Sequence, residues 1–371
     1  MRPLCEMADT TNHQWRLARK PAEGLPVDAD FAWREAPIAR PAHGQMLTRT
    51  IYLSLDPYQW GRRKSGAEAV GDVCHGRTVA QVLESRLAGY REGDYVFNTN
   101  GWQTHGLTGD GISVFTYMFP RKLDPAAAPI STAVGVLGML GLTAYAGITV
   151  QCAPRPGETV VVSAASGGVG QVAGQIAKLA GCRVVGVAGR AEKCAFVAGE
   201  LGFDACVSHL DPNLRSALAA ACPDGVDVYF ENVGGSTFDA VLPLLNRDAR
   251  ISLCGLVSQY GRVGGNAFEA WQAAGQATFA SRNVKVNRLA VGEFVAGHQE
   301  RFLAEMAQWV RDGHVKYRED LWPGLASAPA AFRAMLEGGN FGKTLVGVGD
   351  DPTLDDLPTP ARTWRTTRVQ R

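Results

Sequence analysis

Glu158-Thr159-Val160-Val161-Val162-Ser163-Ala164-Ala165-Ser166-Gly167-Gly168-Val169-Gly170, with Gly174 one turn further on, is the stretch whose reading decides the fold. Val160, Val161 and Val162 read as a strand. Val169, Val172, Ala173, Ile176, Ala177 and Ala180 recur at three and four residues, which forms one apolar face of a helix. Glycines between a strand and a helix let backbone N–H groups at the helix N-terminus cradle a pyrophosphate, so Gly167, Gly168, Val169 and Gly170 predict a dinucleotide site. A tight turn with close helix-to-sheet packing is the structural alternative.

The pattern repeats downstream. CRVVGVAG from Cys182, a helix around Glu192 to Leu201, then DACVSH, VDVYFENVGG and RISLCGLVS alternate strand with helix, which implies a doubly wound parallel sheet and an α/β fold. Upstream the texture is β-rich: Gln45 to Asp56 alternates, Thr78 to Leu83 is apolar and branched, and Asp94 to Asn98 follows a Gly-Asp turn. Near the end, Gln299 to Asp312 reads as an amphipathic helix stopped by Gly313, and Lys343 to Val348 as a closing strand.

The chain has 371 residues, which favours two domains at about 150 residues each. Its 46% hydrophobic and 20% charged residues exclude collagen-like, disordered and small disulfide-scaffold classes. A net charge of +1 gives no reason to expect nucleic acid or an anionic membrane as partner, and 43 clustered glycines favour a small-molecule ligand. The eight cysteines form no C-x-x-C pair, and Cys74-His75, the one adjacent Cys-His pair, does not make a metal site, so no metal is expected. Met1 to Lys20 lacks the apolar core of a secretory signal, making the cytoplasm the expected compartment. Ser131 to Val150 is uncharged over a membrane-spanning length, yet four glycines and the lack of flanking basic clusters read better as a buried glycine-rich helix pair.

The second strand discriminates between dinucleotides. Where an NAD site shows an acid for the ribose hydroxyls, this chain has Gly189-Arg190; glycine leaves room, and Arg190 with Lys193 supplies positive charge for a 2′-phosphate, so NADP(H) is the expected cofactor. Solvated charges around a helix start, partly neutralised by Glu192, are the alternative. Glu231 to Gly235 and Cys254 to Tyr260 end the next strands and are expected to line the nicotinamide half, with Asn232 as a hydrogen-bonding amide and Tyr260 as a phenol donor.

These motifs, in this order, resemble the zinc-independent medium-chain dehydrogenase/reductases, specifically the NADPH-dependent alkenal, leukotriene and prostaglandin reductases and, within them, the bacterial curcumin reductase branch. The resemblance spans residues 14–349 and rests on Tyr52 to Tyr58, Gly135 to Met139, Ala164 to Gly170, Gly186 to Lys193, Tyr229 to Gly235, Cys254 to Tyr260 and Asn340 to Lys343. It implies a GroES-like partial β-barrel domain of residues 1–130 and 310–349, a Rossmann domain of 131–309, and a homodimer. Beyond it, residues 350–371 read as a mobile tail. It further implies that Lys193 binds the 2′-phosphate, that His209, Asn232, Cys254, Gly255, Ser258, Tyr260 and Asn340 contact the cofactor, and that Tyr58 stands at the substrate mouth.

The expected activity is hydride transfer from NADPH to the β-carbon of an α,β-unsaturated ketone or aldehyde, with Tyr58 and Tyr260 as donors to the carbonyl. Asp56-Pro57-Tyr58 is followed by Gln59-Trp60 where relatives read Met-Arg, and a family Gly-Phe is Arg288-Leu289, so Tyr58, Gln59, Trp60 and Leu289 are expected to line a reshaped substrate pocket. The stretch Gly261 to Ala267 lacks a proline-rich loop of close relatives. Quinone or carbonyl reduction, and a specialised biosynthetic role with redirected or lost reductase activity on the same scaffold, stay open alongside.

Overall fold

The computed structural model describes residues 10–112, 118–261, 266–354 and 365–367. The N-terminal region holds β1 (Thr11–Leu17), β2 (Phe31–Pro37), β3 (Gln45–Ser54), α1 (Tyr58–Ser65), β4 (Thr78–Ser85), β5 (Tyr95–Asn98), β6 (His105–Gly109) and β7 (Arg121–Leu123). The middle runs through α2 (Met139–Tyr145), β8 (Thr159–Ser163), α3 (Gly170–Leu179), β9 (Arg183–Ala188), α4 (Ala191–Gly199), β10 (Ala205–Ser208), α5 (Leu214–Ala221), β11 (Val226–Glu231), α6 (Gly235–Val241), β12 (Leu245–Leu253), α7 (Ala267–Arg282), β13 (Lys285–Arg288) and α8 (Gly292–Arg311). The chain closes with β14 (Glu319–Pro323), α9 (Ala328–Leu336), β15 (Lys343–Gly347) and β16 (Arg365–Thr367).

The middle strands form one parallel sheet in the order β10-β9-β8-β11-β12-β13. That order reverses direction between β8 and β11, and in such a sheet ligands bind beyond the carboxyl ends of the strands at the reversal. The period of two sends Val160, Val162, Val228 and Phe230 into a core with α2, α3 and α8, and Val161, Val185, Tyr229 and Ile251 into a second core with α5, α6 and α7. Covering both faces explains why these strands read as unbroken apolar runs. Each large apolar side chain so buried contributes about 1.5–3 kcal/mol.

In the second sheet β15 pairs antiparallel with β3, and β3 pairs with both β4 and β6, so the C-terminal segment returns to the N-terminal domain. The uncharged stretch before β8 is not one long helix. It breaks into a 3-10 turn at Ile130–Val134, α2, and π-helical turns at Ala146–Cys152. No described helix is long and apolar enough to cross a membrane.

Some readings differ from the structure. α8 begins at Gly292, earlier than Gln299, because Val291 and Val295 extend its apolar contact with the core. The tail read as mobile holds Arg365–Thr367 as a strand paired in parallel with Glu319–Leu321 of β14, and Tyr52 Oη donates to Asp351 Oδ2 at 2.7 Å. The other residues from 355 onward, and 262–265 of the loop before α7, lie outside the described residues.

The close fit of α3 to the sheet depends on Gly174, where an added Cβ would lie 1.8 Å from Phe203 Cζ. Gly174→Ala is expected to cost about 1–3 kcal/mol from overpacking, less roughly 1 kcal/mol regained in helix propensity. Urea unfolding should show a lower midpoint; an unchanged or raised midpoint would mean that the Phe203 ring turns aside freely.

Candidate active site

The glycine turn closes tightly. Ala164 adopts a left-handed φ of 49°, Gly167 N donates to Ala164 O at 2.8 Å, and a Cβ on Gly170 would lie 2.3 Å from that same oxygen. The first turn of α3 therefore opens at the end of β8, with the N–H groups of Gln171, Val172 and Ala173 bonded back to Gly167 O and Val169 O. Gly342 joins the turn from the other domain: Gly342 N donates to Ser166 O at 3.1 Å, and Gly342 forms a parallel bridge with Gly167. Asn340 stands beside it, its Nδ2 donating to Gly342 O at 2.9 Å.

A buried polar knot ties β8 to β11 at the reversal. Asn232 N donates to Ser163 Oγ at 2.7 Å and Asn232 Nδ2 to Ser163 O at 2.7 Å. Glu231 accepts from the N–H groups of Val233 and Gly234 at 2.7 and 3.0 Å and from Trp271 Nε1 at 3.3 Å, while Ser163 Oγ lies 3.0 Å from its carboxylate. Burial raises the Glu231 carboxyl, and the two backbone donors offset part of that rise. Ser163 does not stand out as a site residue in the sequence, and Glu231 does so only as the first residue of the run expected to line the nicotinamide half; here both side chains shape the crevice.

At the end of β9 stand Gly189, Arg190, Lys193 and His209. Lys193 is only 8% exposed, and its Nζ donates to Gly338 O at 2.8 Å. A Cβ at Gly189 would project to 3.4 Å from His209 Nε2 and 3.9 Å from Lys193 Cδ, so glycine keeps open a space flanked by those two groups. Burial, with the charge of Lys193, lowers the His209 imidazole. Arg190 precedes α4 on the exposed side.

Beyond β12, Cys254 N and Gly255 N donate to Glu231 O at 2.9 and 3.1 Å, and Ser258 Oγ donates to Val233 O at 2.6 Å. The Tyr260 hydroxyl lies 3.5 Å from where a Gly255 Cβ would be. Burial, with Cys254 nearby, pushes the Tyr260 phenol up to about 12.

Tyr58 opens α1, with its hydroxyl 2.8 Å from His75 Nε2. Gln59 and Trp60 point elsewhere. Gln59 is fully buried, donating to Ser54 O at 3.1 Å and accepting from Asp56 N, and Trp60 Nε1 donates to Gly24 O while its ring meets Phe332 edge-on. Both side chains are placed in the domain core rather than on an open surface. Leu289 packs against the core shared with α3, near Gly147. A cavity of about 270 Å³, lined by Phe97, Met118, Arg121, Leu137, Met139 and Phe302 among others, adjoins this region. Met139 also packs in the cluster that holds Tyr58, and its neighbour Leu140 stands against Gly168.

The carboxylate of Asp56, two residues before Tyr58, is fully enclosed. It accepts from Ser54 Oγ at 2.7 Å and lies 2.6 Å from Arg77 Nη2 and 3.0 Å from Lys343 Nζ. Burial alone would raise this carboxyl; Arg77 and Lys343 outweigh it and hold the group well below the usual carboxylate range. Burial pulls Lys343 down to about 8 despite Asp56.

A doubly wound nucleotide-binding sheet sharing a cleft with a second, mostly antiparallel domain is the architecture of a two-domain oxidoreductase. Family models described as "N-terminal domain of oxidoreductase" and "Zinc-binding dehydrogenase" match residues 13–115 and 168–310. The chain is 44% identical to the NADPH-dependent curcumin reductase of Escherichia coli K12 over 92% of its own length and 98% of that protein. It is 38% identical to mouse prostaglandin reductase 1, covering 90% and 98%. The crystal structure of CurA in complex with NADPH from Vibrio vulnificus superposes with a TM-score of 0.82 at 42% identity, covering 91% of this chain and all of that one. The chain belongs to the medium-chain dehydrogenase/reductase family, as a homologue of its curcumin and prostaglandin reductases, with the Rossmann and GroES-like pair of domains. Among the described residues no three His, Cys, Asp or Glu side chains converge as a metal-binding group.

Asp56→Asn leaves Arg77 and Lys343 uncompensated in the interior and is expected to lower stability by about 3–5 kcal/mol at neutral pH. Because the folded-state pKa of Asp56 is depressed, its contribution is present above the unfolded value of about 4 and is lost as pH falls below it. Denaturant curves of the two proteins should therefore converge in acid; a constant difference down to pH 3 would refute the assignment.

Proposed function

We propose that the chain is an NADPH-dependent ene-reductase acting on the C=C bond of an α,β-unsaturated ketone or aldehyde. The observation that carries this reading is the 44% identity to a named NADPH-dependent curcumin reductase over nearly the whole chain, coinciding with the open, cationic space at Gly189.

The residues present fit the cofactor. N–H groups of Gly168 to Gly170 would hold the pyrophosphate at the turn that Gly167 closes, and Arg190, Lys193 and His209 around the space at Gly189 would receive the 2′-phosphate. Asn232, Asn340 and the run Cys254, Gly255, Ser258 and Tyr260 border the remaining length. When bound, NADPH supplies the hydride for the β-carbon of the enone. Tyr58 offers a hydrogen-bond donor to the carbonyl oxygen, where negative charge develops as the C=C bond is reduced. Such a preorganised donor is worth about 2.7–4 kcal/mol in related oxyanion sites. Tyr260, with its phenol pushed up to about 12, stays protonated at neutral pH and is the second donor. A proton delivered to the α-carbon completes the reduction, and the reaction needs no protein nucleophile.

The proposal includes a homodimer in the cytoplasm. β13 is the outer strand of the parallel sheet, an edge that a second copy can continue. The seven described cysteines are all free thiols, in keeping with a reducing compartment.

The test is NADPH oxidation with product mass, across linear enals, aryl enones and quinones, with NADH as control. A product two mass units heavier at the enone double bond, with NADPH preferred, is expected; turnover of quinones alone, or no oxidation, would overturn the reading. Lys193→Ala should weaken NADPH binding by about 10- to 100-fold while leaving NADH binding nearly unchanged, as read by fluorescence titration. Tyr58→Phe should lower kcat by about a hundredfold with little change in NADPH affinity, and an unaltered rate would remove Tyr58 from the mechanism.

A further inference from the structure

We infer that His75 is the positioning residue for Tyr58: its Nε2–H donates to the Tyr58 hydroxyl oxygen and thereby directs the phenol's own proton toward the substrate carbonyl. The inference rests on the ene-reductase reading for its consequence, and on the geometry of the Tyr58–His75 pair for its substance.

The two rings lie edge to face, with centroids 5.9 Å apart at 62°, and the hydroxyl is 2.8 Å from Nε2. A phenol oxygen that accepts from a neighbour keeps its single proton for another acceptor. If instead the phenol donated to His75, it would have no proton to offer a carbonyl. The imidazole itself is neutral: burial, then the charges of Arg62, Arg77 and Arg63, pull it down to about 3 in spite of Asp56. A neutral ring carries one proton, so the tautomer decides which way the bond runs.

Both partners are held by separate networks. Tyr58 begins a helix whose approach is clamped by Asp56 between Arg77 and Lys343. His75 is gripped through its backbone: its N–H donates to Glu68 Oε1 at 3.1 Å, and its carbonyl accepts from Arg63 Nη2 at 3.4 Å. Arg63 and Glu68 are themselves a buried ion pair at 3.1 Å, and the guanidinium sits 4.5 Å from the Trp102 ring centroid and 5.0 Å from that of Phe332. A buried ion pair with no part in the reaction thus has a role: it sets where the imidazole stands. In the sequence His75 stands out only as half of an adjacent Cys-His pair, since nothing local connects it to Tyr58.

The test uses the full-length protein. His75→Phe keeps an aromatic ring against Tyr58 and removes the donor; it should lower kcat for the enone by about tenfold with the KM for NADPH unchanged. His75→Gln, which returns an N–H near the same place, should recover most of that loss. In a Tyr58→Phe background the His75→Phe change should have no further effect on kcat, because its only route to the substrate is gone. Equal losses with and without the Tyr58 hydroxyl, or no loss in either, would overturn the inference. A second readout does not depend on turnover: ¹⁵N NMR of the histidine rings in the apo protein, with the His75 signals assigned by their disappearance in His75→Gln. The Nε2–H tautomer, with a shift on Tyr58→Phe, is expected. An Nδ1–H tautomer would overturn the inference even if the enzyme reduces enones, whereas an Nε2–H tautomer in a protein that reduces no enone would count against the ene-reductase reading alone.

Discussion

The carboxylate of Asp56, enclosed between Arg77 and Lys343, is the contact on which the arrangement of the site depends. It joins three separate segments: the end of β3 leading into α1, the start of β4, and β15 returning from the far end of the chain. An isolated buried carboxylate would be prohibitively costly, so its two cations and the Ser54 hydroxyl must all be present for the chain to close there. Lys343 does more than neutralise. Its backbone neighbour Gly342 pairs with Gly167, so the ion pair that anchors α1 is continuous with the strand that touches the glycine turn. Tyr58 and the nucleotide crevice are thereby held in one frame.

Across the crevice the same economy recurs with hydrogen bonds in place of charges. Ser163, Glu231 and Asn232 bind the ends of β8 and β11 to each other, and Glu231 also organises the backbone that leads into α6 and receives Cys254 and Gly255 from β12. A buried network of this kind is favourable only when its members are satisfied, and then it makes the geometry unique. Asn232, read as a ligand contact, spends its amide N–H on Ser163, so its structural duty is as firm as its expected role at the cofactor.

The chemistry suited to such a frame is one that asks for alignment and a few donors, with no nucleophile. Tyr58 and Tyr260 are presented from different domains. Tyr260 packs against the core that contains Trp60 and Phe332, and its carbonyl accepts from Lys64 of α1 at 3.2 Å. The phenols therefore owe their relative placement to contacts between the domains, and the Tyr58 hydroxyl is further fixed by its 2.8 Å contact with His75 Nε2.

Much was legible in the sequence because it is local. The valine run, the helical face after it, and the glycine turn between them depend on residues a few positions apart, where strand and helix periods and the steric freedom of glycine act directly. Repetition of that unit gave the parallel sheet, and the dispersed motifs gave the family. Less legible were α7, an Ala-rich helix in which only Trp271 and Gly275 are fully buried, and β13, a short outer strand. Gln59 and Trp60 were visible as departures, but whether they face a pocket or the core depends on the roll of α1, and the structure turns them inward. The sequence by itself determined the nucleotide-binding sheet and where its glycine turn falls, because neighbours along the chain dictate both. Only tertiary structure decided that Lys343 meets Asp56 across 287 positions and that Tyr58 meets His75 across 17, because such partners are chosen by strand register and domain docking, which no local pattern encodes.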